Sequence, residues 1–314
     1  MAMEKIITGI SNGVNHVAKM VDKSFEALNK NIETISLDST TDSKVKSLLE
    51  KYPSISKDDK LLINFLINNP DCNYIGTKKI QLGTFSSIET FEIWDSKNQL
   101  TYYIDKNYSN EYIFNETVKD INEIYSKNPV LIKNISEVVF TTKDCPSDWY
   151  WNLFGRSGKV SSTGGISDKK WGKPRITFYQ EWENEYVGRN SQYGDANYII
   201  AHEAAHCYDY GSDIRKHISD NQEWDNAMKA DRIVQVKYAE EYGYNYLIDS
   251  EKSYVSQYSM DSYNNRNNNM RNDEEFADSI ALISTNGKDY FEFNFPNRAN
   301  LLRKICPELY NSFK

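Results

Sequence analysis

The sequence predicts a mixed α+β fold in which a small sheet precedes a mainly helical C-terminal half. Three observations support this prediction. The runs KIQLGTF, FEIWD and LTYYID are rich in β-branched and aromatic residues and are separated by turn residues. The runs ISEVVFTT and RITFYQ add two further predicted strands. From about Ala196 onward, apolar residues recur mainly at helical spacing, so most helices follow the strands along the chain.

The composition is that of a large globular protein. The chain has 314 residues, of which 39% are hydrophobic and 26% charged, so it can bury a sizeable core. Its formal net charge is -8 and no block of Lys and Arg is present, so we expect no nucleic-acid partner. The mean hydropathy of -0.70 predicts no integral membrane segment.

The first 40 residues predict an amphipathic helical extension. Apolar residues recur at helical spacing from Ile6 to Ile35, and the polar stretch SLDSTTDSK near residue 40 indicates a linker. This extension could dock a delivery partner, pack as an ordinary helix in the core, or cover a cleft as a gate. No uninterrupted apolar run with a small-residue cleavage site is present, so the sequence predicts no signal peptide.

The stretch YIIAHEAAHCYDY contains the motif HExxH as His202, Glu203 and His206. Histidines four residues apart face the same side of a helix, so both imidazoles can bind one tetrahedral Zn²⁺. Glu203 can project beside the metal, take the proton of a bound water and deliver it to a leaving amine. Gly211 is placed to end this helix. The motif therefore predicts a zinc site with Glu203 as the catalytic base.

A third protein ligand is expected downstream of the two histidines, in the stretch NDEEFADSIALI. Glu274 and Asp278 are four residues apart on one helical face. The first can bind zinc while the second accepts the N–H of a ligating histidine and fixes its orientation. Glu275 is the alternative ligand in the neighbouring register, although the position four residues beyond it holds Ser279.

Other potential ligands fit familiar zinc sites less well. Asp213 and His217 follow the motif, but neither has a familiar ligand spacing, which favours structural roles. The four cysteines lie far apart with no CxxC pair, so no cysteine zinc site is predicted and one long-range disulfide is the most that we expect: Cys72, Cys145, Cys207 and Cys306.

The segments HEAAHCYDY and EEFADSIALI together resemble the lethal factor-like gluzincin zinc metallopeptidases, a family that includes the clostridial Pro-Pro endopeptidases. The E-x-F-A-E signature of that family corresponds to Glu274-Glu-Phe-Ala-Asp278 here. The resemblance covers about residues 130–305. It implies a zincin-like domain, with a small mixed sheet over a helical lower half, and His202, His206 and Glu274 as ligands with Glu203 as base. We expect an extension at residues 1–40, a helical and β region at 41–128 and the catalytic domain at 129–314.

The resemblance also implies a tyrosine shortly before the ligating glutamate, in an S-Y or S-x-Y setting, whose hydroxyl stabilises the oxyanion. Tyr258 in VSQYS and Tyr263 in DSY both match, and the longer V-S-x-Y context favours Tyr258. The Asn-rich run NNRNNN departs from the family pattern and looks inserted before the glutamate. A strand on which an extended polypeptide substrate docks is also implied, and Arg175–Gln180 is the candidate.

We therefore expect a zinc-dependent endopeptidase that hydrolyses a peptide bond of a protein substrate. The resemblance suggests a secreted bacterial toxin or effector. Without a visible signal peptide, secretion or delivery into a target cell would follow a non-classical route, with the N-terminal helix as the docking site for a delivery partner. The alternative is a catalytically silent peptidase-fold module that binds or delivers within a toxin assembly, and stoichiometric zinc would argue against it.

Overall fold

The computed structural model of the protein describes residues 39–82, 86–144, 165–168, 175–180, 182, 196–210, 217–265 and 272–313. The chain divides into two compact units, Met1–Asp58 and Asp59–Lys314. Of the first unit, the structure describes residues 39–58, so nearly all of the predicted amphipathic extension lies outside the described residues. The division comes after Asp58, and not near residue 40 as the polar stretch suggested.

Helix α1 covers Ser39–Lys51, and the predicted linker is therefore wrong from Ser39 onward. Ser, Thr and Asp are favoured both in loops and at the start of helices, because their side chains can accept hydrogen bonds from free N–H groups. Asp42 lies in the first turn, where its negative charge is favourable. The polar stretch thus marks the beginning of a helix.

The described residues of the second unit form a six-stranded mixed sheet with the order β1-β2-β3-β4-β6-β5. Strands β1 to β3 form an antiparallel meander, β3, β4 and β6 are parallel, and β5 is antiparallel to β6. One sheet therefore crosses the boundary that was predicted between residues 128 and 129. The strands are β1 Cys72–Gln81, β2 Ser87–Asp95, β3 Leu100–Asp105, β4 Glu137–Phe140, β5 Gly165–Asp168 and β6 Arg175–Phe178.

Strand β6 lies inside the sheet and not at its edge. Its four residues pair with Glu137–Phe140 on one side and with Gly165–Asp168 on the other. Because both sides of β6 already carry a strand, the expectation that substrate docks on Arg175–Gln180 is wrong. Among the described strands, β5 is the edge next to β6.

Three helices accompany the sheet in the first half of this unit: α2 Lys60–Asn68, α3 Glu111–Lys127 and α4 Pro129–Ile132. The side chain of Asn110 accepts the N–H of Ile113 at 3.2 Å and caps the start of α3. Phe114 on α3 packs edge-to-face on Phe140 of β4, with ring centroids 4.7 Å apart. Such buried aromatic pairs contribute about 0.5–1.5 kcal/mol beyond their burial.

The C-terminal half is mainly helical, which confirms the mixed α+β prediction. Helix α5 packs against α8 and also lies against β5 and β6. None of the described helices is long and apolar enough to cross a membrane. The elements are α5 Ala196–Tyr210, α6 Glu223–Tyr242, the paired strands β7 Leu247–Ile248 and β8 Ser253–Tyr254, α7 Gln257–Asn265, α8 Asp273–Asn286, α9 Lys288–Asn294, α10 Pro296–Ile305 and α11 Pro307–Ser312.

Three of the four cysteines, Cys72, Cys207 and Cys306, are buried and are not joined to one another by a disulfide. Burial raises the pKa of Cys72 and of Cys306 to about 12, so both remain protonated at neutral pH. Cys145 lies outside the described residues. The described cysteines therefore form no disulfide with one another.

Candidate metal centre

Three buried side chains from two helices converge in the second unit. His202 and His206 come from α5, and Glu274 comes from the first turn of α8. The Nε2 atoms of the two histidines are 3.1 Å apart. The Oε2 atom of Glu274 is 3.1 Å from Nε2 of His202 and 3.2 Å from Nε2 of His206. The three potential ligand atoms therefore form a nearly equilateral triangle.

The dimensions of this triangle fit one small cation. Nitrogen and oxygen ligands lie about 2.0–2.2 Å from zinc, which places two ligand atoms at a tetrahedral angle about 3.3 Å apart. The observed separations of 3.1 to 3.2 Å are close to that value. The group can therefore hold a metal ion, and it is the one such group of His, Cys, Asp and Glu found among the described residues.

The sequence of α5 explains why both histidines point to the same place. Four residues are slightly more than one helical turn, so the two rings lie on one face, with centroids 4.7 Å apart. Apart from His202, Glu203 and His206, the residues from Ile199 to Cys207 are apolar and buried. Small residues on both helices allow α5 and α8 to approach closely, and these fully buried alanines are Ala201, Ala204, Ala205, Ala277 and Ala281.

Asp278 lies one turn after Glu274 and orients the first histidine. Its Oδ1 atom is 2.8 Å from Nδ1 of His202 and also accepts the hydroxyl of Tyr198 at 2.9 Å. Its Oδ2 atom accepts the hydroxyl of Ser256. An ionised carboxylate can only accept, so Nδ1 of His202 carries a proton, and in the neutral imidazole the lone pair therefore lies on Nε2, which faces the triangle.

The charges of the site favour a cation at its centre. Burial lowers the pKa of His202, but the contacts with Asp278 and Glu274 outweigh it, and the pKa lies well above its ordinary value. The pKa of His206 is also raised, because Glu274 outweighs the effect of burial. Burial raises the pKa of Glu274, but the two histidines outweigh it and hold the pKa well below its ordinary value.

Glu203 is buried directly beside this group. It follows His202 on α5, and its negative charge contributes to the raised pKa of His206. The helix therefore presents two imidazoles and one carboxylate that is not among the three potential ligands. A carboxylate at this position can transfer a proton next to a bound ion.

The two tyrosines predicted as alternatives have different surroundings. The ring of Tyr258, in the first turn of α7, lies edge-to-face on His202 with centroids 6.0 Å apart. Tyr263 lies farther along α7, where its hydroxyl accepts a hydrogen bond from Lys252 and its ring packs on Tyr254 at 5.7 Å. The structure thus brings Tyr258 next to a predicted ligand.

Glu275, the alternative ligand, belongs to a separate buried ion network. Its carboxylate accepts hydrogen bonds from the guanidinium of Arg298 and from the N–H of Val255, the latter at 3.1 Å. Arg298 is fully buried and also donates to Asp231 at 2.9 Å. Glu274, and not Glu275, is therefore the carboxylate that meets the histidines.

The weaker candidates lie elsewhere or outside the described residues. The Nδ1 atom of His217 is 3.9 Å from Asp209, which accepts the N–H and the hydroxyl of Ser219 at 2.8 and 2.6 Å. Burial raises the pKa of Asp209 although the bonds from Ser219 oppose the shift. Asp213 and most of the Asn-rich run lie outside the described residues.

The sequence reasoning missed two residues that hold Asp278, namely Tyr198 and Ser256. Tyr198 precedes His202 by four residues, so the same helical spacing that joins the two histidines could have identified it. Ser256 stands in the V-S-x-Y stretch that favoured Tyr258, but its contact with Asp278 joins residues 22 positions apart. Only the folded chain reveals that contact.

Comparisons with protein-family models, with curated proteins and with solved structures find no match to this chain. The resemblance of the two helical segments to gluzincins is therefore an interpretation of those residues alone. Function has to be argued from the chemistry of the site, because a fold by itself does not determine an activity.

Proposed function

We propose that the chain is a zinc-dependent endopeptidase of the lethal factor-like gluzincin type, with a zincin-like catalytic fold. The observation that carries the proposal is the buried triangle of His202, His206 and Glu274 next to Glu203. Two imidazoles and one carboxylate suit zinc better than magnesium or calcium, which prefer oxygen ligands alone. When bound, zinc would polarise the scissile carbonyl and lower the pKa of a water molecule.

Within this proposal, Glu203 is the general base and then the general acid. It accepts a proton from water as the water oxygen forms a bond to the carbonyl carbon. It then delivers that proton to the amide nitrogen as the C–N bond breaks. Tyr258 is the proposed donor to the oxyanion, a role supported by its place beside His202.

The proposed substrate is a polypeptide that binds in extended form along β5. Three observations support this position: β5 is the edge of the sheet among the described strands, it pairs antiparallel with β6, and it lies against α5. Strand addition at such an edge supplies main-chain hydrogen bonds that do not depend on the substrate sequence. The selectivity would come from side-chain pockets alongside.

We further propose a role outside the producing cell, as a secreted toxin or effector delivered by a non-classical route. This part of the proposal rests on the resemblance of the HExxH and EEFAD segments to the family. The predicted docking of a delivery partner on the N-terminal helix belongs to the same proposal. A secretion assay with the full chain in its native host would test it.

The enzymatic proposal is tested by incubating the purified protein with a diverse peptide library and identifying the products by mass spectrometry. We expect one zinc ion per chain and cleavage at defined peptide bonds. The control is Glu203→Gln, which keeps the three ligands and should retain zinc while turnover falls about 10²–10⁴-fold. A zinc-free, inactive wild-type protein would instead favour a silent binding module. Wild-type turnover by Glu203→Gln would refute the assigned base.

A further inference from the structure

Ser256 joins the helix that carries Tyr258 to the carboxylate that orients His202. It is the residue before α7, and its Oγ atom accepts the N–H of Ser259 at 3.0 Å, as a helix N-cap does. The same hydroxyl donates its proton to Oδ2 of Asp278. One side chain therefore caps α7 and contacts the metal-binding region.

The hydroxyl of Ser256 lies within hydrogen-bond distance of two acceptors, the hydroxyl of Ser259 at 3.3 Å and the closer Oδ2 atom of Asp278. The hydroxyl of Ser259 accepts the N–H of Ser256 at 3.2 Å and lies 3.0 Å from the carbonyl oxygen of Ser256, to which it donates. This reciprocal arrangement is a serine version of the capping box. The two serines thus satisfy each other's backbone groups, and the side chain of Ser256 is directed to α8.

Asp278 depends on Ser256 to fix its second oxygen. The Oδ1 atom accepts hydrogen bonds from His202 and Tyr198, which both lie on α5. Ser256, at the N-cap of α7, donates to Oδ2. Two contacts on one oxygen leave the carboxylate plane able to turn about its Cβ–Cγ bond. A third contact on the other oxygen fixes the plane, and with it the direction of the His202 hydrogen bond.

A second contact makes the junction between α7 and α8 rigid. Val255, the residue before Ser256, donates its N–H to Glu275 at 3.1 Å, and Arg298 holds Glu275 from the other side. Val255 therefore contacts Glu275, the residue directly after Glu274, and Ser256 contacts Asp278, one turn later on α8. Helix α7 cannot shift relative to the ligand helix without breaking both contacts.

We propose that Ser256 is a positioning residue that couples metal binding at His202 to the placement of Tyr258. A coupling of this kind is reciprocal, so loss of the Ser256 hydroxyl should weaken metal binding as well as misplace the tyrosine. The effect on turnover rests on the proposed peptidase function. The effect on metal affinity does not, because it is measured without substrate.

Three variants separate positioning from helix capping. Ser256→Gly removes the hydroxyl, yet glycine is itself a good N-cap and destabilises the helix start very little in that role. Ser256→Thr keeps a hydroxyl and is the rescue variant. Asn110→Gly is the matched control, because Asn110 caps α3 through Ile113 at 3.2 Å and makes its capping contact away from the metal-binding group.

The measurements are zinc affinity by competition with a chromogenic chelator, kcat and KM on a cleaved peptide, and the melting temperature of the metal-free protein. For Ser256→Gly we expect zinc affinity and kcat each to fall about 10-fold, with KM changed less than about 2-fold. Ser256→Thr should stay within about 3-fold of wild type, and Asn110→Gly should change neither quantity.

Several results would refute the proposed coupling between metal binding and the placement of Tyr258. Wild-type zinc affinity in Ser256→Gly would overturn the coupling, as would an equal loss in Asn110→Gly. A loss confined to KM, or a failure of Ser256→Thr to restore affinity, would also overturn it. If the wild-type protein cleaves no peptide, the peptidase proposal fails, but the affinity comparison still supports or refutes the role of Ser256. Similar metal-free melting temperatures for the two glycine variants would show that both are folded.

Discussion

Replacement of Glu275 is expected to damage the fold and spare the metal site, although Glu275 is next to the proposed ligand. Its carboxylate is fully buried and accepts hydrogen bonds from Arg298 and from Val255. Asp231 is the other carboxylate on Arg298, at 2.9 Å. In Glu275→Ala the buried guanidinium therefore loses one of two anionic partners, and the N–H of Val255 loses its acceptor.

The magnitude follows from these contacts. Removal of one partner of a buried ion pair costs about 3–5 kcal/mol, and we take the lower end because Asp231 remains. The unsatisfied N–H of Val255 adds about 1 kcal/mol. A total of about 4 kcal/mol corresponds to a melting temperature lowered by about 8–16 °C for a unit of this size.

The assay is thermal and urea unfolding of the metal-free protein in excess chelator, followed by zinc titration below the melting temperature. Glu274→Ala is the matched control, one residue away on the same helix. It should lose zinc binding and change the metal-free melting temperature less than Glu275→Ala does. Stability of Glu275→Ala within about 1 kcal/mol of wild type would refute the reasoning, and loss of zinc in Glu275→Ala alone would exchange the roles of the two glutamates.

Three further predictions address the tyrosine, the protons and the N-terminus. Tyr258→Phe should lower kcat about 10²–10³-fold and keep zinc, whereas Tyr263→Phe should keep kcat, and equal losses would contradict the assignment. Zinc binding at pH 7 should release protons, since the raised pKa values of His202 and His206 keep protons bound below those pKa values in the metal-free state, and affinity should fall as pH falls. Calorimetric heats that do not depend on the ionisation enthalpy of the buffer would contradict this. Deletion of residues 1–36 should leave peptidase rate and melting temperature unchanged if the segment only docks a partner. A higher rate would indicate a gate, and a melting temperature lowered by many degrees would indicate core packing.

The residues of the metal-binding group could be predicted because helical spacing places the members of each pair on one face of their helix. His202 and His206 are four residues apart, as are Glu274 and Asp278, so the helix geometry fixes each pair before any tertiary contact forms. Helical spacing alone does not choose between Glu274 and Glu275. Adjacent positions point about 100° apart around the helix, and the local pattern does not show which of the two directions faces the histidines. The acidic residue four positions after Glu274 was the local signal. Arg298, the partner of Glu275, is 23 residues away, so the local sequence gives no signal of that contact.

The order of the strands was not predictable from local pattern. The resemblance implies a docking strand before the motif helix, and RITFYQ is the strand-like run in that place, but such a run does not show whether the strand lies at the edge or inside the sheet. Strand β5, Gly165–Asp168, has only four residues and no extended apolar period. Its place at the edge depends on pairing with β6, and a periodicity argument carries no information about such pairing.

The acidic start of α8 gives a separate physical reason to expect a cation. Four carboxylates are buried there, and isolation of a single carboxylate from water costs several kcal/mol. Glu275 is balanced by a permanent cation, Asp278 receives three hydrogen-bond donors, and Asp273 accepts the N–H of Glu274 at 3.0 Å near the positive end of the helix. Two histidines contact Glu274, and they are cationic only when protonated. When a metal is bound, both histidines are neutral ligands and a divalent ion supplies the positive charge, so zinc at about 1,000 times its Kd should stabilise the fold by about 4 kcal/mol. The stabilisation should appear as a higher melting temperature in the wild-type protein and disappear in Glu274→Ala. An equal rise in that variant would show that the ion binds elsewhere.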